Sequence, residues 1–161
     1  MKKILILLLI LGIGTPLLAL EEKPQFALGM GGMFAGYAIT PSGFLGISSK
    51  IFDVKLGYSA AYQNPTIDSD STLFLQGNLK HKLGSATFLT YGITLGLVAG
   101  QGISNGYAYG LFLGLQYALE SNLLLDFHYY PLSGTSYTSA GVNVGTVNWG
   151  SSIDIAISYL L

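Results

Sequence analysis

From Leu89 onward the chain alternates strictly. Leu89, Tyr91, Ile93, Leu95 and Leu97 are apolar, while the intervening Thr90, Gly92, Thr94 and Gly96 are small or polar. A period of two sends successive side chains to opposite faces of a β-strand. After Gln101–Asn105 the pattern restarts with Tyr107, Tyr109, Leu111, Leu113, Leu115, Tyr117 and Leu119, interleaved with Ala108, Gly110, Phe112, Gly114, Gln116 and Ala118. The two runs read as long antiparallel neighbours whose apolar faces match. They far exceed the roughly 5–6 residues of an ordinary soluble strand and suit the roughly 9–11 that cross a bilayer at a tilt.

A soluble barrel of this size needs bulky apolar residues inside. Here the second face, made of Thr, Gly, Ala and Gln, is too small and too polar to pack such a core. The apolar face therefore meets the surroundings, which is the arrangement of a transmembrane β-barrel with a polar interior.

The same alternation extends through the chain. Strands are predicted at Phe26–Tyr37, Phe44–Lys50, Val54–Tyr62 and Thr72–His81, then at the two runs above, at Leu123–Tyr130 and at Ile153–Leu161. Between them, Ala38–Ser42 with its Thr40-Pro-Ser-Gly43, Lys50–Asp53, Lys82–Ser85 and Glu120–Asn122 read as turns, and Asn64–Asp70 as a polar loop. Pro131 is expected to end regular pairing. Ser133–Gly150 is then the longest connection, with Val142–Val147 a possible strand extension. Eight strands, an even number, put both ends of the barrel on one side. The expected fold class is all-β: an eight-stranded antiparallel up-and-down transmembrane β-barrel.

At the N-terminus, Met1-Lys-Lys3 followed by the apolar Ile4–Gly14 and by Thr15–Leu20 has the form of a secretory signal peptide. The expected organisation is a signal peptide over 1–20 and one barrel domain over 21–161. Without Lys2 and Lys3 the chain has five lysines, no arginine and eight carboxylates, a formal charge of −3. That balance excludes nucleic acid as a partner. There is no Cys, hence no disulfide and no thiol chemistry. Tyrosine, with 11 copies, is the dominant aromatic. If the first strand runs upward, Tyr37, Tyr62, Tyr107, Tyr109 and Tyr129 fall toward an upper rim and Tyr91, Tyr117 and Tyr159 toward a lower one. Transmembrane barrels carry such aromatic girdles at both interfaces, with short turns on the periplasmic side and longer loops outside.

The inward face holds the polar residues Lys55, Gln76, Asn78, Lys80, Gln116, Asp126, His128 and Asp154. Charges enclosed in a narrow barrel must be paired or hydrated, so these residues are read as a hydrogen-bonded lumen network. Asp126, His128 and Tyr130 share one face of a strand at steps of about 6.6–7 Å, which permits an acid–base pair only if a third residue completes it. No catalytic residue, cofactor or metal is assigned. Asp68 and Asp70 lack a further ligand pattern, and Gly29-x-Gly31 and Gly92-x-x-x-Gly96 lack the Lys-Ser/Thr of a phosphate loop. Lys80-His81-Lys82 is read as a solvated turn, with contact to anionic headgroups as the alternative.

The stretch Gly114–Tyr130 resembles the sixth and seventh strands of small OmpA/OmpX-like outer-membrane barrels. The final Ile153-Asp-Ile-Ala-Ile-Ser-Tyr-Leu-Leu161 is similar to the C-terminal signal read by their assembly machinery, with Tyr159 third from the end and Leu161 where the family usually has Phe or Trp. The resemblance implies an outer-membrane protein of a diderm bacterium, surrounded by outer-membrane lipid and delivered by the barrel assembly machinery. It also implies a non-enzymatic role in envelope structure or in surface interaction through extracellular loops, toward a ligand the sequence does not identify. The alternatives are a small pore or ligand-binding barrel lined by the eight lumen residues, and a lipid-modifying enzyme acting through Asp126 and His128. The lipid A deacylase type carries His-x-Ser followed by Glu. Here His128 precedes Tyr129-Tyr130, and no Glu lies beyond Glu120.

Overall fold

The computed structural model of the chain describes residues 23–35, 38–60, 71–100 and 103–161. Eight strands follow one another: β1 Gln25–Ala35, β2 Ala38–Ser48, β3 Phe52–Ala60, β4 Ser71–Lys82, β5 Thr87–Ala99, β6 Ile103–Glu120, β7 Leu123–Ser139 and β8 Val142–Leu160. Each pairs antiparallel with its successor, and β8 returns to β1, so the sheet is a closed barrel in chain order. Closure removes both sheet edges, which a lone sheet in hydrocarbon could not leave unpaired.

The barrel is built inside out. Its largest fully buried side chains are His128, Gln116, Thr90, Asp53 and Asp126, all polar. The outward leucines, isoleucines and valines of every strand, such as Leu28, Leu75, Ile93, Leu113 and Ile155, stand about half exposed on the wall. The small apolar core of Ala27, Leu124 and Leu160, with Ala118 against it, plugs the lower end.

Inward rings rest on inward glycines of the neighbouring strand. Phe44 lies opposite Gly29 and Gly57, Phe74 opposite Gly57 and Gly96, Phe112 opposite Gly92, and His128 opposite Gly114. A methyl group on Gly29, Gly57, Gly92 or Gly114 would collide with one of those rings and with backbone carbonyls. These glycines let the rings lie flat against a tightly curved wall.

Four expectations are corrected. Ala38–Ser42 is not a turn but the upper half of β2, with Pro41 opposite Gly32. Pairing of β2 with β3 begins only at Ser42, so Pro41 needs no donor on that side. Asp53 does not belong to a turn, because β3 starts at Phe52. Ser133–Gly150 is not a connection: β7 and β8 run on as a hairpin closed at Ala140 and Gly141, whose φ angles of 49° and 79° suit a two-residue type I′ turn.

Pro131 does not end the pairing either. It lies in a bulge where Tyr130 faces Ser152 and Leu132 already faces Trp149, a place that tolerates a missing N–H. A matching irregularity toward β6 sets Leu111 against Leu132 and Leu113 against Tyr129. The bulge reverses which residues of β7 point outward, so Leu132 takes over from Tyr129. The predicted Tyr37, Tyr62, Asn64–Asp70 and the leader 1–20 lie outside the described residues.

Candidate functional site

Most of the polar interior comes from five strands, with Ser48 of β2 and Thr94 of β5 joining them. β3 supplies Asp53 and Lys55, and β4 supplies Gln76, Asn78 and Lys80. β6 supplies Gln116, β7 supplies Asp126, His128 and Tyr130, and β8 supplies Asp154 and Ser158. Strands three and seven are diametrically opposed in an eight-stranded barrel, so side chains joining them cross the lumen.

Lys55 Nζ donates to Asp126 Oδ2 at 2.6 Å across that diameter, with both side chains buried. Asp126 also accepts from Gln116 Nε2 at 2.7 Å and from Ser158 Oγ at 3.5 Å. Lys80 Nζ lies 2.6 Å from Asp53 Oδ1 and donates to Gln116 Oε1 at 2.9 Å and to Ser48 Oγ at 3.0 Å. Asp53 Oδ2 takes further bonds from Asn78 Nδ2 and Gln116 Nε2, at 3.1 and 3.0 Å. Gln116 thus joins the two ion pairs into one lattice. The Lys55 ammonium also sits 4.8 Å from the Phe44 ring centre. Charge enclosed in a low dielectric is tolerated only when paired and hydrogen-bonded; each charged group here has an opposite charge at 2.6 Å, while the neutral Asn78 Oδ1 is left without a hydrogen-bond donor. The cleft among Ser48, Asp53, Lys55, Gln116 and Ser158 has no room for a water molecule.

Above this lattice lies a looser cluster. His128 Nδ1 is 3.4 Å from Asp154 Oδ2 and 3.5 Å from Gln76 Nε2, and its ring packs on Phe112 with centroids 4.4 Å apart. Tyr130 OH accepts from Gln76 Nε2 at 3.4 Å and meets Thr94 Oγ1 at 3.2 Å.

All eight lumen residues predicted from the sequence point into this interior, and the structure brings them into two contiguous groups. The reading missed Asp53, which was left in a turn. Its position two residues before Lys55 carried the signal, because a period of two puts both on one face. Asp126 and His128 share a strand face but engage different partners. Both are fully buried, and no described group of three or more His, Cys, Asp or Glu residues is placed to hold a metal.

Of the predicted girdle, Tyr91, Tyr107, Tyr117, Tyr129 and Tyr159 stand exposed on the outer wall. Tyr109 is half-buried, its hydroxyl lying against Gly134. Trp149, 76% exposed, faces Leu132 in the upper hairpin and was hidden in the sequence by its apparent place in a loop.

Solved structures with this architecture are outer-membrane and designed transmembrane barrels. Outer membrane protein H (OprH) of P. aeruginosa aligns over 85% of this chain and 99% of its own, with a TM-score of 0.62 at 16% identity. Neisserial surface protein A (NspA) aligns over 86% and 96%, with a TM-score of 0.58 at 14% identity. A barrel from the de novo design of transmembrane β-barrels aligns over 88% and 99%, with a TM-score of 0.55 at 18% identity. No protein-family model matches the sequence, and no curated protein matches it. The likenesses establish the fold as that of the small transmembrane β-barrels, the architecture that the OmpA/OmpX-like resemblance implied.

Proposed function

We propose that the protein is a non-enzymatic integral outer-membrane barrel, exported by its N-terminal signal peptide, that makes surface contacts through the raised end of β6, β7 and β8. One observation carries this reading. β1 pairs with β8 only up to Ala35 opposite Ser152, while β8 starts at Val142. Among the described residues, the far edge of Val142–Ser151 has no strand partner. At about 3.3 Å per residue it runs roughly 30 Å along the strand beyond the last pair with β1.

This edge carries no charge, and Val142, Val147 and Trp149 on it are exposed. A row of free backbone donors and acceptors without charged guards is a place where another chain pairs. Among the described residues, the strands at the opposite end are joined by tight turns at 49–51, 83–86 and 121–122. Short turns inside and a long hairpin outside fit the usual orientation of such barrels. The C-terminal Ile153–Leu161 is then the segment offered to the assembly machinery, and outer-membrane lipid surrounds the apolar wall. The pairs that cross the lumen speak against a conducting pore.

The test is an epitope inserted between Ala140 and Gly141. It is expected to be labelled by antibody on intact cells while the barrel keeps its heat-modifiable migration on gels. A folded barrel whose tag is reached only after the outer membrane is permeabilised would overturn the orientation and the surface role together.

A further inference from the structure

Side chains at the same position of a ladder share a face of the sheet, and one such row winds around the outer wall. It runs from Leu28 through Leu45, Leu56, Leu75 and Leu95 to Tyr109, then through Gly134 to Val147. Leu28 is itself opposite Tyr159, so one circuit starts beside the foot of β8 and ends near its head. The row therefore climbs at every strand, as the tilt of a closed barrel requires. A second outward row, Leu73, Leu97 and Tyr107, runs alongside it two residues nearer the upper rim.

Between the two rows lies a trough of about 560 Å³. Its floor is the backbone at Phe74, Gly96 and Ala108, which are opposite one another and face the lumen. Its walls are leucines and the rings of Tyr107 and Tyr109, with no charged side chain among them. From β3 to β6 it crosses three strand spacings, about 14 Å at roughly 4.8 Å each. The lower end, at Leu56, is in the middle of β3, and the upper end is at the two tyrosines.

Within the membrane span, lipid is what such a trough meets. Its polarity is graded: phenol hydroxyls stand at the top, where headgroups lie, and aliphatic carbon lines the descent. Its length is close to the depth of one leaflet, half of the roughly 30 Å hydrocarbon core. An extended short chain fills it from end to end, whereas a long, bent chain projects beyond it. We propose that this trough is a binding site for one short saturated acyl chain of a lipid in the upper leaflet, seated across β3–β6 with its headgroup at Tyr107. The proposal rests on reading the chain as a membrane barrel, whose proposed orientation makes that leaflet the outer one.

The experiment uses the protein folded in octyl glucoside, a detergent whose tail is too short to span the trough. It is offered equimolar phosphatidylcholines with dilauroyl and with dioleoyl chains, and the retained lipid is counted by native mass spectrometry. One dilauroyl lipid per barrel is expected, favoured about fivefold, which corresponds to about 1 kcal/mol. Leu95→Trp puts a ring into the middle of the trough and is expected to abolish the preference while keeping heat-modifiability. Ile157→Trp, on the far wall, leaves both intact. Equal retention of the two lipids by the parent, or a preference that survives Leu95→Trp, overturns the site. A preference lost equally in Ile157→Trp assigns it to the wall at large and also overturns the site. Failure of the parent to form a heat-modifiable barrel in any lipid or detergent instead overturns the membrane reading beneath it.

Discussion

Lys55 on β3 and Asp126 on β7 lie 71 positions apart in the chain and meet at 2.6 Å across the full width of the barrel. Removing one partner strands the other charge without water. Lys55→Met is expected to cost about 3–5 kcal/mol, read from urea unfolding in lipid vesicles. Lys55→Met/Asp126→Leu should cost clearly less than the two single changes added together. Strict additivity would mean that the pair is not coupled.

The outer wall sets a second expectation. Ile93 and Leu113 are about half exposed in the middle of long strands, and Arg at either is expected to cost about 2–4 kcal/mol in a bilayer. Val147→Arg, on the exposed upper hairpin, should cost nothing measurable. Equal, small losses at all three sites in the same vesicle assay would contradict a lipid-facing wall.

Glycines separate by position in the same way. A methyl on Gly57 meets the Phe74 ring, the Gly43 carbonyl and the Phe44 Cβ, and one on Gly92 meets Phe112 and the Gly77 carbonyl. Ala at either is expected to destabilise by about 1–3 kcal/mol through overpacking. Gly77→Ala has nothing within 4 Å of its new methyl and should leave the unfolding midpoint unchanged or slightly raised.

The interior also sets an electrical expectation. Because Lys55 with Asp126, and Lys80 with Asp53 and Gln116, span the lower lumen, the folded protein should give no current above the lipid baseline in planar bilayers. Stepwise conductance in the parent protein would contradict a closed lumen.

The barrel itself was legible because alternation in a two-faced strand is a strong signal, and Lys55, Gln76, Asn78, Lys80, Gln116, Asp126, His128 and Asp154 all follow from its phase. Where the phase breaks, the reading broke with it. At Pro131 the bulge changes the parity of β7, so Leu132 and the residues beyond it no longer fit a strand counted from Asp126. The Ser, Thr, Gly and Asn of the upper hairpin then imitate a loop, since above the membrane neither face must be apolar. Trp149 and the unpaired edge of β8 were lost for that reason. Pro41 misled in the opposite direction: proline is a fair sign of a turn, but it is tolerated where β2 has a strand on only one side. The partners of Gln116, which ties Lys80 to Asp53 and Asp126, could not be read because they depend on which strands end up facing each other across the closed cylinder.

Bridges between opposite walls also constrain how the molecule enters its membrane. A flat, open sheet would carry the Lys55 ammonium and the Asp126 carboxylate into hydrocarbon several strands apart, each bare of both water and counter-charge. Curling the sheet shut is what neutralises them. Rolling up and sinking into the bilayer are therefore expected to proceed together, with closure of the seam between β1 and β8 coupled to insertion.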